Sequence, residues 1–161
     1  MQRSALWFAA LSLSVLAALP QPAVAAETRV SAAGEGIYPA DTTFNSISIR
    51  GLEFGFGLEL SDVGDKVGHI MVTLLGISSA GLEQDIVIEV EVTGGSRTAA
   101  NVAVISGTCT IDMGTGTPPV PGGPFTATVT TNANDQGTIG LAIGDITLPS
   151  ANVTDGSMTI R

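Results

Sequence analysis

Beyond its first 26 residues the chain is nearly bare of the side chains on which most protein chemistry depends. From Glu27 to Arg161 there is one histidine (His69), one lysine (Lys66), one cysteine (Cys109), one tyrosine (Tyr38) and no tryptophan, Trp7 being in the N-terminal leader. Catalytic centres and sugar-binding sites usually draw on several of these at once. Zinc and copper need clustered histidine and cysteine. One of each, forty positions apart, cannot fill a coordination sphere without carboxylates or a second chain. A single cysteine also excludes an internal disulfide, so stability has to come from packing and backbone pairing. In Gly107-Thr-Cys-Thr-Ile111 the thiol alternates with threonines, which reads as a small buried side chain on one face of a strand. The sharper alternative is an intermolecular disulfide or a reactive thiol.

Positive charge is equally scarce. Five basic residues stand against fifteen acidic ones after the leader, a net charge of −10. With no basic patch and no aromatic platform, nucleic-acid binding is excluded. Such a surface also repels anionic lipid and keeps molecules dispersed.

The leader itself has the three parts of an export signal. Arg3 supplies the positive end, and Ala5 to Leu19 is an apolar run too short to span a membrane. Pro20 and Pro22 break the helix, and Ala23-Val-Ala or Val24-Ala-Ala offers the small-x-small cleavage pattern. No cysteine follows that region, which argues against a lipoprotein. The expectation is a signal peptide over 1–26, removed on export, and a single domain over 27–161. That domain has no transmembrane segment and is delivered to the periplasm or the medium.

What the mature chain does have is alternation with a period of two. In Leu52-Glu-Phe-Gly-Phe-Gly-Leu-Glu-Leu60 the apolar residues point one way, and Glu53, Gly55, Gly57 and Glu59 the other. A strand with one face on a core and one in water reads this way. Gly55 and Gly57 are expected to mark a bend or bulge. Asp85 to Thr93, Phe125 to Thr131 and Thr138 to Ile143 repeat the pattern. His69 to Leu75 is apolar on both faces apart from His69 and Thr73, as in a central strand. Phe44–Arg50, Asn101–Ser106, Thr108–Met113, Ile146–Leu148 and Ser157–Ile160 complete the set. Turns are expected at Ser61–Lys66, Thr93–Ser96, Asn132–Gly137, Gly144–Asp145 and Asp155–Gly156. A single helical turn is possible at Ser78–Gln84 and at Pro149–Asn152. The stretch Gly114–Pro124, dense in proline and glycine, reads as a stiff connection crossing between sheets. These features predict an all-β fold: one antiparallel β-sandwich or flattened barrel, jelly-roll-like, of about eight to ten strands.

Candidate sites are few. Gly76-Ile-Ser-Ser-Ala-Gly81 misses the nucleophile-elbow spacing by one residue, and His69 precedes its serines rather than following them. Glu53 with Glu59, and Glu89 with Glu91, are carboxylate pairs of the kind glycoside hydrolysis needs, but they also serve as plain solubility charges. Calcium asks only for oxygen ligands. Asp62 and Asp65 share one turn, and Asn132, Asn134 and Asp135 share another, which has Ile143 where a calcium loop places its glutamate. The same residue types are the ordinary ones for tight turns. No catalytic residue and no organic cofactor is therefore expected.

The sequence predicts an exported, non-enzymatic β-domain with a structural or interaction role, through a protein partner or self-assembly. One alternative is a barrel or sandwich that encloses a small apolar ligand. Another is assembly by strand exchange, in which Glu27–Thr43, hinged at Gly34-Glu-Gly36, completes a neighbour's sheet.

Overall fold

The computed structural model describes residues 28–60 and 67–161. The leader, the Ser61–Lys66 turn, and with it Asp62 and Asp65, lie outside the described residues. The described chain is built of antiparallel strands. In chain order they are β1 (Thr28–Ile37), β2 (Thr43–Phe44), β3 (Ile47–Leu60), β4 (Val67–Ile77), β5 (Glu83–Ala99), β6 (Val102–Asp112), β7 (Val120–Thr131), β8 (Gly137–Ile143), β9 (Ile146–Thr147) and β10 (Ala151–Ile160).

From β3 to β8 each strand pairs with the next in sequence. The first strand then does something local pairing could not produce: β1 lies between β3 and β10 and is laddered to both. The sheet thereby closes on itself as a flattened ring. Its weakest link is between β8 and β10, where only Ile139–Ala151 and Thr138–Asn152 pair. β9 folds back on β8 and covers the rest of that edge. Where the ring ends, Arg29 and Arg161 exchange backbone hydrogen bonds of 2.9 Å in both directions.

Alternation decides what fills the ring. Residues of one parity are buried along each strand: Val30 and Ala32 on β1, Leu52, Phe54, Leu58 and Leu60 on β3, and Ile86, Ile88, Val90 and Val92 on β5. Burial of each large aliphatic side chain stabilises the fold by roughly 1.5–3 kcal/mol. Alanines on β1, β6, β7 and β10 (Ala32, Ala103, Ala127 and Ala151) offset the bulk of Phe54 and Phe125 in one continuous core. Tyr38, Phe44, Ile47 and Leu148 close the end at which β1 finishes and β3 begins. The opposite parity carries Glu35, Glu53, Glu59, Glu89 and Glu91 into solvent. Among the described residues, no helix is long and apolar enough to cross a membrane.

Several local expectations need correction. Thr93–Ser96 is not a turn. β5 runs through it with a bulge between Val92 and Gly94, and Gly95 lies so close to Leu60 that a Cβ would fall 2.9 Å from that side chain. Glycine there serves close approach, not chain reversal. Asp155–Gly156 is likewise inside β10. Asn101–Ser106 and Thr108–Met113 form one strand, β6, continuous through Gly107. Gly55 and Gly57 mark no bulge: the β3–β4 register slips instead between Ile49 and Gly51.

Neither Ser78–Gln84 nor Pro149–Asn152 is helical. The first is a turn closed by Ser78, whose amide donates to the Leu82 carbonyl at 2.9 Å. β4 is flanked by strands on both sides, yet its outer side chains His69 and Met71 are exposed, so it alternates after all.

Gly114–Pro124 does not cross between sheets. Its second half, from Val120, is already β7 and pairs with β6, so the connection is a hairpin. β8 joins β7 only at Phe125. Pro121 and Pro124 therefore sit where β7 has β6 on one side only, a position that tolerates the missing amide. A bulge at Gly122, beside Gly123 with its φ of 81°, absorbs the register slip.

Candidate functional site

The side chains able to do chemistry are dispersed. His69 is exposed on the outer face of β4, in register with Gly57 and Glu91. The serines of the near-elbow motif begin at Ser78, past the far end of the same strand. Nine residues of extended chain put roughly 30 Å between them, and the Ser78 hydroxyl is engaged with the Leu82 carbonyl at 3.1 Å. No triad can form from that pair.

Cys109 is buried, as the sequence predicts, with Sγ 3.7 Å from the Gly123 carbonyl oxygen. Burial pushes its thiol up, which disfavours the reactive thiolate. Tyr38 is buried too, and among the described residues its hydroxyl has no hydrogen-bond partner. Its pKa is raised far above the usual tyrosine range by burial.

The carboxylate pairs stand on open wall. Glu53 and Glu59 are six residues apart on one strand face, and Glu89 and Glu91 are two apart, all exposed. A small notch of about 130 Å³ beside Pro119 brings Glu89 near Asp112 on the neighbouring strand. One Asp112 oxygen already accepts the Gly114 amide at 2.9 Å.

Asn132, Asn134 and Asp135 do share the β7–β8 turn, and the oxygens of Asn132 hold it together. The Asn132 side-chain oxygen accepts the amides of Asn134 and Gln136 at 2.9 and 3.2 Å. The Asp135 carbonyl accepts the Met158 amide at 2.7 Å. Among the described residues, no group of three or more His, Cys, Asp or Glu could hold a metal ion.

One concavity stands out, and it is on the outside. An open trough of about 580 Å³ crosses β10, β1 and β3 near the end where the chain enters β1. Register builds it: Ser31 faces Gly57 on one side and Thr159 on the other. Gly57 leaves the floor bare, with nothing within 4 Å of where its Cβ would stand. Arg29 and Glu59 form one wall, joined at 2.8 Å, and Arg161 borders the other side. Both partners of that ion pair are more than half exposed, so it contributes little to stability. Two guanidinium groups, a carboxylate and two hydroxyls make a hydrogen-bonding surface. They do not make a nucleophile with its base. Sequence alone could not find this trough, because its three strands come from opposite ends of the chain.

Every described aromatic residue is in the core or packed against it: Tyr38, Phe44, Phe54, Phe56 and Phe125. The exposed large apolar residues, Ile37, Met71, Leu82 and Val120, are all aliphatic. Among the described residues, the outer wall therefore presents no phenyl or phenol ring on which a sugar could stack. β1, the arm of the strand-exchange alternative, is seated in its own sheet between β3 and β10.

No protein-family model matches the chain, and comparison with curated proteins and with solved structures finds no match.

Proposed function

We propose that this is an exported, non-enzymatic β-barrel domain that acts outside the cytoplasm, in the periplasm or the medium, through a structural or interaction role of its outer surface. The observation that carries the reading is the division of labour among its side chains. Apolar and aromatic residues fill the ring, while His69 stands exposed on β4, Cys109 is buried in β6 and the Ser78 hydroxyl is engaged within its own turn. The polar trough over Ser31 and Gly57 is a surface for contact, and its groups can hold a partner without transforming it.

The test has two arms. Mass spectrometry of protein recovered from the exported fraction should find a chain starting near Glu27; a cytosolic protein that keeps its leader overturns the export reading. A panel of ester, glycoside and phosphoester substrates should show no turnover. Turnover that disappears in His69→Ala or Glu89→Gln overturns the non-enzymatic reading.

A further inference from the structure

The outer face of β4 carries the chain's single histidine two positions from an exposed methionine. Ile70 and Val72 point into the core, so His69 and Met71 project from the same side of the strand. Their Cα atoms are about 7 Å apart along it. Met71 is 48% exposed. The other exposed large apolar residues, Ile37, Leu82 and Val120, sit at the end of β1, in the β4–β5 turn and at the start of β7. Met71 alone stands inside a strand that is paired on both sides, and its cross-strand neighbours, Gly55 and Glu89, give it no apolar surface to cover.

Register frames the pair. On β5, Glu91 is opposite His69 and Glu89 is opposite Met71, with Cβ atoms about 5 Å away across the ladder. On β3, Gly57 and Gly55 stand opposite the same two residues, and nothing lies within 4 Å of where their Cβ atoms would be. One flank is therefore open and the other is lined by carboxylates. Among the described residues, no hydrogen bond or ion pair engages the imidazole.

The chemistry of these groups selects the ion. Calcium and magnesium ask for cages of oxygen, and zinc for several nitrogen, thiolate or carboxylate ligands. Among the described residues no three such side chains are grouped. A thioether is a soft ligand that favours copper(I), and imidazole suits copper as well. Copper(I) accepts low coordination numbers, so one nitrogen and one sulfur suffice to hold it, with a carboxylate oxygen or solvent as a third ligand. A formal charge of −9 draws cations to the surface from a distance. Counting histidine and cysteine in the sequence passes over this pair, because its sulfur belongs to a methionine.

We propose that His69 and Met71 form a surface site for copper(I), bound by an imidazole nitrogen and the thioether sulfur beside the carboxylates of Glu89 and Glu91. Two protein ligands on an open strand face hold the ion exchangeably, as suits a surface that takes up copper and gives it up again. The inference goes beyond the surface role proposed above and does not depend on the trough over Ser31.

Anaerobic titration of the purified protein with copper(I), supplied as its acetonitrile complex and followed by NMR, tests it. Copper(I) is diamagnetic, so the resonances remain visible. After the leader the chain has three methionines, Met71, Met113 and Met158, and one histidine, which makes the methyl and ring signals easy to assign. The Met71 methyl and the His69 ring should shift together and saturate at one equivalent, while the buried Met158 and half-buried Met113 stay in place. Met71→Leu, which removes the sulfur and keeps the bulk, should weaken binding by about tenfold or more, since loss of even an outer-shell partner does as much at metal sites. His69→Gln should do the same, and serves as the second variant should the first lose its β-type circular-dichroism spectrum. A Met71 methyl that does not move overturns the proposal, including when copper is captured by Cys109 instead. So does affinity that survives in either folded variant, or a shift of Met113 or Met158 as large as that of Met71.

Discussion

Gly34 and Gly156 face each other across the β1–β10 ladder, and the strands approach so closely that a Cβ on Gly156 would overlap the Ala33 carbonyl oxygen. Gly156 has a φ of 98°, in the region that favours glycine, and a Cβ on Gly34 would overlap the Asp155 carbonyl oxygen. Side chains at either position would force apart the two strands that close the ring. Gly156→Ala should therefore cost about 2–4 kcal/mol, combining overpacking with an unfavourable backbone angle. Urea unfolding measures it, and a loss below about 0.5 kcal/mol would show that the strands can separate freely.

Gly55 gives the opposite expectation. Nothing lies within 4 Å of its missing Cβ, and its place on β3 faces solvent. Gly55→Thr should stabilise the protein by about 0.5–1 kcal/mol, by adding strand propensity and restricting the unfolded chain. The same denaturant experiment reports it as a higher midpoint at an unchanged slope.

Tyr38 predicts a pH effect with a defined sign. Its pKa in the folded protein is raised by burial, whereas the unfolded chain ionises near the ordinary value of about 10. This contribution to stability is complete below about pH 10 and is lost as the pH rises above it, because the unfolded state then releases a proton that the folded state keeps. Tyr38→Phe should flatten that alkaline decline. It should also cost nothing at neutral pH, and gain about 1 kcal/mol, since the hydroxyl it removes has no partner among the described residues. Thermal melts of both proteins from pH 7 to about 11 check the two expectations together. A destabilised Tyr38→Phe at neutral pH would reveal that something holds the hydroxyl.

The β8–β10 junction predicts where the ring opens first. Two residue pairs join these strands, whereas β1 is laddered along its length to both its neighbours. Amides of β8 and β10 that face this junction should exchange with deuterium faster than those of β3, β4 and β5 at the middle of the sheet. Equal protection on both sides of the ring would mean that it opens only by global unfolding.

The strands were legible where alternation is strict. Leu52–Leu60 and Asp85–Thr93 show it plainly, and both keep the inward parity read from the sequence, with Phe56 only half-buried. Glycine was the residue that misled. Gly94–Gly95 and Gly156 carry the composition of turns, yet they make room for atoms of a neighbouring strand, the Ser106 and Leu60 side chains at the first pair and the Ala33 backbone at the second, and that depends on a neighbour many positions away. Prolines misled at Pro121 and Pro124 for the same reason, since a missing amide disrupts pairing only where a partner strand is present. The lack of catalytic side chains was visible at once from counting. The trough was not, because Ser31, Gly57 and Thr159 become neighbours only through the pairing of β1 with β3 and β10.

That pairing also sets a timetable. Val30 and Ile160, drawn from the first and last described strands, are opposite each other, so the ring cannot shut until β10 has emerged. Until then the oily lining of an unfinished cylinder is open to any neighbour, and contacts between distant parts of a chain form slowly. Loss of β10 would leave such an unfinished cylinder permanently, and the shortened product should collect as insoluble aggregate rather than as a smaller folded protein.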